Sequence, residues 1–195
     1  MLALPAPPPP ARRRQLLVGM AFAIGAGVMF FGGLLAIYMT EREVQGSGNT
    51  LKWLPKKVVI NEVAANTALA TMFAATIMMQ WAVHSLRRGD RRHAGYGLGL
   101  TVVFGVAVLT AQARIWQDMK IKLAGGTYQT LVYTVTGAFV VALAVGVLMA
   151  GIGAFRALGG RTTGNDRETV SAAAMWWYFL AAVYSAVWFF IYVVK

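Results

Sequence analysis

Long apolar runs alternate with short charged connections along the whole chain, and this alternation predicts where it crosses a membrane. The clearest unit is Asn66 to His93. Asn66 to Leu86 holds no charged side chain, and the run then breaks into Arg87, Arg88, Asp90, Arg91 and Arg92. As a helix the uncharged part is about 30 Å long, the thickness of a bilayer's hydrocarbon core. Four other runs behave similarly, so the pattern predicts an all-α integral membrane protein, a bundle of five transmembrane helices at about 15–38, 63–86, 94–116, 128–155 and 173–194. Residues 15–195 are expected to form one five-helix membrane domain. Residues 1–14 read as a Pro- and Arg-rich cytoplasmic tail, because Pro5, Pro7, Pro8, Pro9 and Pro10 exclude a helix interior.

Arg12, Arg13 and Arg14 ahead of the first run imitate the start of a signal peptide. The run is longer than a signal core and no small-residue cleavage site follows it, so it is expected to be a retained first helix. Five crossings put the termini on opposite sides. With the N-terminus cytoplasmic, the inner segments hold Arg12, Arg13, Arg14, Arg87, Arg88, Arg91, Arg92, Arg156, Arg161 and Arg167. The outer segments hold Arg42, Lys52, Lys56, Lys57, Arg114, Lys120, Lys122 and Lys195. The inner charges stand closer to helix ends, where they weigh most in topology, and favour an N-in, C-out arrangement.

Composition agrees: the 195 residues are 58% hydrophobic and only 13% charged, with a mean hydropathy of +0.59. A soluble domain of that composition would lack a polar exterior, so lipid is the solvent for most of the chain. The net charge of +11 lies in short segments between apolar runs, which points to lipid headgroups and not to nucleic acid. With no cysteine, the chain has no disulfide framework and no cysteine-held metal or cluster.

Small residues mark packing. Ala138, Ala142, Gly146, Ala150 and Ala154 recur at every fourth position of the fourth helix, a spacing that lets a neighbouring backbone approach closely. Candidate chemistry is sparse. His84 stands near the inner end of the second helix, Arg114 near the outer end of the third, and Gln80 and Gln112 are intramembrane amides. Amides at such depth hold helices together without moving a proton, and a histidine or arginine near a helix end can reach the interface. Two histidines without carboxylates at the same depth do not supply a metal or haem site. No catalytic, cofactor-binding or metal-binding residue is therefore assigned.

The run Gln80-Trp81-Ala82-Val83-His84-Ser85-Leu86, followed by Arg88-Gly89-Asp90-Arg91-Arg92-His93, resembles subunit III of the haem-copper cytochrome oxidases, whose T-W-A-H-H-S-L segment leads into a G-D-R-K-H-like loop. Val28-Met29-Phe30-Phe31-Gly32-Gly33-Leu34 is similar to that family's E-V-M-F-F-x-G-L. Leu109-Thr110-Ala111-Gln112-Ala113, Tyr128 with Thr136-Gly137, and Trp177-Tyr178-Phe179 follow the family pattern in the same order. The likeness is to the shorter, five-helix bacterial form. It departs at buried polar positions: the family's glutamates fall at Gly27 and Ile115, its paired histidines at Phe139 and Ala142, and the histidine and aspartate of its last helix at Tyr178 and Ala181.

The resemblance implies a non-catalytic accessory subunit of a respiratory complex that reduces oxygen and moves protons. Haem and copper would be in the partner subunits, with no cofactor in this chain. Subunit I and subunit II would be its partners, phospholipid a ligand, and the bacterial inner membrane its location. It also implies a headgroup-binding role for Arg156, a guanidinium being able to fork onto a phosphate. Two alternatives remain open at this level: an accessory subunit of a nitric oxide reductase or another divergent respiratory complex, and a free-standing small transporter with His84, Gln80 and Arg114 along its path.

Overall fold

Helices stop where backbone hydrogen bonding stops, not where apolar side chains do, and each of the five runs past the stretch that predicted it. The computed structural model describes residues 15–46, 53, 61–120, 126–160 and 166–194; the tail 1–14, Lys52, Lys56, Lys57, Lys122, Arg161 and Lys195 lie outside the described residues. The elements are α1 (Gln15–Gly46), α2 (Glu62–Arg87), α3 (Arg91–Met119), α4 (Thr127–Leu158) and α5 (Asp166–Val187), the last continuing as a π-helical segment, Trp188–Val193. All five are long and apolar enough to cross a membrane. α1 goes on past Tyr38 through Glu41, Arg42 and Glu43, and α5 begins at Asp166 instead of Ala173. At 32 residues, α1 is about 48 Å long, so its polar turns stand beyond the hydrocarbon core.

Local sequence explains the ends. Asn61 caps α2 by accepting from the Ala64 N–H at 3.0 Å, while its amide donates to Asp118 Oδ2 at 2.8 Å and ties the ends of α2 and α3 together. Glu62 in the first turn and Arg87 in the last suit the helix dipole. The α2–α3 turn places Gly89 at φ +81°, a conformation glycine adopts without a Cβ penalty. Asp90 then caps α3 through the His93 N–H at 3.1 Å.

α2 and α3, and α3 and α4, pack as antiparallel neighbours, while α5 touches α1, α2 and α4. α2 buries Ala65, Ala68, Met72, Ala75, Met79 and Ala82 at alternating spacings of three and four, one seam of a helix pair. The seam is close: a Cβ on Gly97 would stand 3.0 Å from both the Ala82 Cβ and the Met78 carbonyl oxygen. Half of the most apolar window of α5 is buried, against 6% of that of α1. α5 is therefore the central element and α1 the peripheral one. Phe22, Met29 and Phe30 on α1 are exposed.

Two ties hold α1. Glu168 Oε1 accepts from the Leu16 N–H at 3.0 Å, and Arg42 Nη2 donates to the Val194 carbonyl at 2.8 Å. Both join residues 152 positions apart, so α1 and α5 run parallel in one register. The first satisfies an amide that a helix start leaves without an intrahelical acceptor and places a carboxylate at the positive end of its dipole.

Candidate functional site

The stripe on α4 lies along α5. Gly146, Ala150 and Ala154 are buried, and Ala138 and Ala142 are partly buried against the core. Two tryptophans use the space that small side chains leave: Trp176 Nε1 donates to the Ala142 carbonyl at 3.1 Å and Trp177 Nε1 to the Gly146 carbonyl at 3.2 Å. A Cβ on Gly146 would stand 2.9 Å from Leu180 Cδ1 and 3.1 Å from Trp176 Cδ1. Indole N–H groups are costly to bury unpaired, and here helix carbonyls serve them as second-lone-pair acceptors. The sequence pattern marked the stripe, but it did not show that tryptophans would read its carbonyls.

Helix directions gather Arg87, Arg88, Arg91, Arg92, Arg156 and Arg167 at one end of the bundle. Between α1, α2 and α5 at this end lies a cleft of about 670 Å³, lined by Leu17, Gln80, Arg87, Arg167, Ser171 and Tyr178 among others. The Tyr178 hydroxyl bonds Gln80 Oε1 across it. Arg156 is exposed in the last turn of α4 and is not part of the cleft lining. His84 is exposed on α2.

The α2–α3 turn is tied by its own side chains. Asp90 Oδ2 and His93 Nδ1 are 2.5 Å apart, and the His93 ring stands edge-on to Trp81 and Tyr96 at 6.0 and 6.3 Å. The His93 backbone N–H, then its ring, holds the Asp90 carboxyl below the usual carboxylate range. The side chain is exposed, so this orders a turn and does not create a reactive acid.

At the opposite end is a layer of buried polar and aromatic groups. Gln112 Nε2 donates to the Tyr192 hydroxyl at 3.2 Å, and Trp116 Nε1 donates to Thr136 Oγ1 at 3.0 Å. Gln112 thus ties α3 to the π segment. Tyr38, Trp53 and Tyr128 are buried and stack edge to face, with centroids 5.4 and 5.5 Å apart. Arg114 is exposed on α3, with Nε 3.6 Å from Asp118 Oδ1, at the far end of the bundle from His84. The structure does not bring His84, Gln80 and Arg114 together.

At Gly27, Ile115, Phe139 and Ala181, where the resemblance would place acids or histidines, packing has closed. A Cβ on Gly27 would stand 2.5 Å from Phe179 Cζ. Ile115 and Phe139 are fully buried, Ala181 is buried, and the Phe139 ring lies 4.9 Å from that of Tyr184. Among the described residues no three histidine, aspartate or glutamate side chains converge to hold a metal. What the described residues offer at this level is a cationic rim beside a cleft.

Comparison with known proteins agrees with this architecture. The family model for cytochrome c oxidase subunit III matches residues 10–195. The chain is similar to cytochrome c oxidase subunit 3 of Bos taurus, 28% identical over 193 residues that make up 94% of this chain and 70% of the relative. It is likewise similar to the subunit 3 of Sus scrofa, 29% identical over 190 residues, 93% of this chain and 69% of the relative.

Proposed function

Because this chain belongs to the cytochrome c oxidase subunit III family, we propose that it stabilises the catalytic subunit of a respiratory complex and holds lipid beside it. Its function is that of an accessory subunit III of a haem-copper oxidase. The observation that carries this is the family match over nearly the whole chain. Subunit I, and subunit II with it, are the proposed partners, and haem and copper reside in them. Oxygen reduction and proton movement are properties of that whole complex.

The membrane is proposed to be a bacterial inner membrane, with the N-terminus cytoplasmic and the C-terminus outside. In support, Arg87, Arg88, Arg91, Arg92, Arg156 and Arg167 gather at the proposed inner end, as the positive-inside tendency expects. Lipid is proposed to meet the same end, its phosphate on Arg156. The cleft between α1, α2 and α5 offers a second place, with Arg87 and Arg167 at its polar rim and Leu17 on its apolar wall. The packing role proposed for Ala138, Ala142, Gly146, Ala150 and Ala154 is to seat α5 and so hold the scaffold rigid.

Purification of the tagged full chain from native membranes, followed by haem spectra, metal analysis and partner masses, tests the assignment. Haem and copper in a co-purifying catalytic subunit are expected. A partner without copper would move the chain to a nitric oxide reductase-like assembly. A stable, partnerless chain would defeat the subunit reading.

A further inference from the structure

The polar groups at the end away from the arginines do not close their own hydrogen bonding. The hydroxyls of Tyr38, Tyr128 and Tyr184 are inaccessible and find no acceptor among the described residues, while the Trp53 indole nitrogen stands against the Tyr38 oxygen. Each of these residues is at most 3% exposed. Buried polar groups of this kind are nearly always satisfied, by protein or by ordered water. The groups lie toward one end of the bundle: Trp53 stacks between Tyr38 and Tyr128, and Tyr184 and Tyr192 are buried eight positions apart on α5 and its π segment. Tyr192 has the Gln112 amide as its own partner. Three phenols able to donate and accept find no acceptor for their protons among the described residues.

A route to solvent adjoins them. A groove of about 180 Å³ is lined by Glu62, Asn66, Trp188, Tyr192 and Val193. Tyr192 is common to both: it lines the groove, and its hydroxyl accepts from Gln112. The π-helical turn brings it there, and such turns often accompany functional positions.

We propose that Tyr38, Trp53, Tyr128, Tyr184 and Tyr192 enclose ordered water, and that this water exchanges with the aqueous phase through the Glu62–Asn66–Tyr192 groove. A buried water makes about three hydrogen bonds, so a few molecules satisfy the set. The site is a water-binding chamber between α1, α4 and α5, separate from the arginine end and independent of the oxidase assignment.

X-ray hydroxyl-radical footprinting of the full chain in its native complex tests this, because radicals form at bound water as well as in bulk. Tyr128, Tyr184 and Tyr192 are expected to oxidise several-fold faster than Met72 and Met79, which are fully buried in α2 yet carry the more reactive sulfur. Tyrosines no faster than these methionines overturn the chamber. A brief mix with oxygen-18 water before exposure is expected to place the heavy isotope on the tyrosines, and its absence overturns exchange through the groove. In Tyr192→Phe the oxidation of Tyr184 is expected to fall at least by half; an unchanged rate removes Tyr192 as the gateway.

Discussion

Trp177 places its indole nitrogen 3.2 Å from the carbonyl oxygen of Gly146, so the most deeply buried tryptophan of α5 is hydrogen-bonded to the backbone of α4. The contact depends on a missing side chain. In Gly146→Val the new atoms enter space held by Leu180 and Trp176, and overpacking of this kind costs about 1–3 kcal/mol. Trp177→Phe loses the bond, for about 1 kcal/mol, and leaves a cavity where the larger indole was fully buried. Thermal unfolding in detergent should place both variants below the natural chain.

Glu168 completes the first turn of a helix to which it does not belong. Glu168→Ala frees the Leu16 N–H, and loss of a capping acceptor costs about 0.5–2 kcal/mol. Amide exchange should accelerate in the first turn of α1 and stay unchanged in the middle of α3. Uniform acceleration across the bundle would show that the effect is not local.

Asp90 gives a pH dependence whose sign follows from its lowered carboxyl pKa. A carboxylate stabilised by folding contributes fully above its unfolded pKa, and that contribution is lost as pH falls through the folded value. Order in the α2–α3 turn is therefore constant at neutral pH and declines only below the ordinary carboxylate range. Protection of the His93 amide, corrected for intrinsic exchange, should follow that curve in the natural chain and flatten in Asp90→Asn.

Arg156→Ala should reduce the phospholipid retained through purification while the complex still assembles, because the side chain is exposed and packs no core. Native mass spectrometry reads both outcomes from one sample. Unchanged lipid stoichiometry would remove the headgroup role.

Gly27→Glu restores the acid that the family resemblance places there. The space is filled by Phe179, and a carboxylate forced between apolar rings must displace it or be buried unpaired. The variant should accumulate poorly in membranes, as immunoblotting can read, and Gly27→Glu with Phe179→Ala should recover part of the loss.

The membrane bundle was legible because lipid imposes a hydropathy pattern that only helices can satisfy. The connection expected between residues 86 and 94 is shorter, since Gly89 and Asp90 end one helix and cap the next, which begins at Arg91. Helix ends were less visible: Arg167 and Glu168 continue α5 beyond the apolar run that begins near Ala173, and hydropathy registers the solvent while the helix follows its hydrogen bonds. Trp53 matched an interfacial residue by type, yet it is buried between Tyr38 and Tyr128, a contact across three parts of the chain that no local pattern encodes. The π turn was hidden for a similar reason. It changes which face follows Val187, and the residues Trp188 to Val193 are unremarkable in a helical wheel until their partners Asn66 and Gln112 are known.

The paired ties on α1 also set an order of events. A ribosome delivers the N-terminal helix first, but the acceptor for Leu16 and the carbonyl for Arg42 arrive 152 residues later in both cases. Until α5 enters the membrane, α1 lacks both of these bonds. Biogenesis of this protein therefore closes as a ring in time: the last segment made fastens the first, and a nascent chain halted before Glu168 cannot be complete however much of its apolar sequence has inserted.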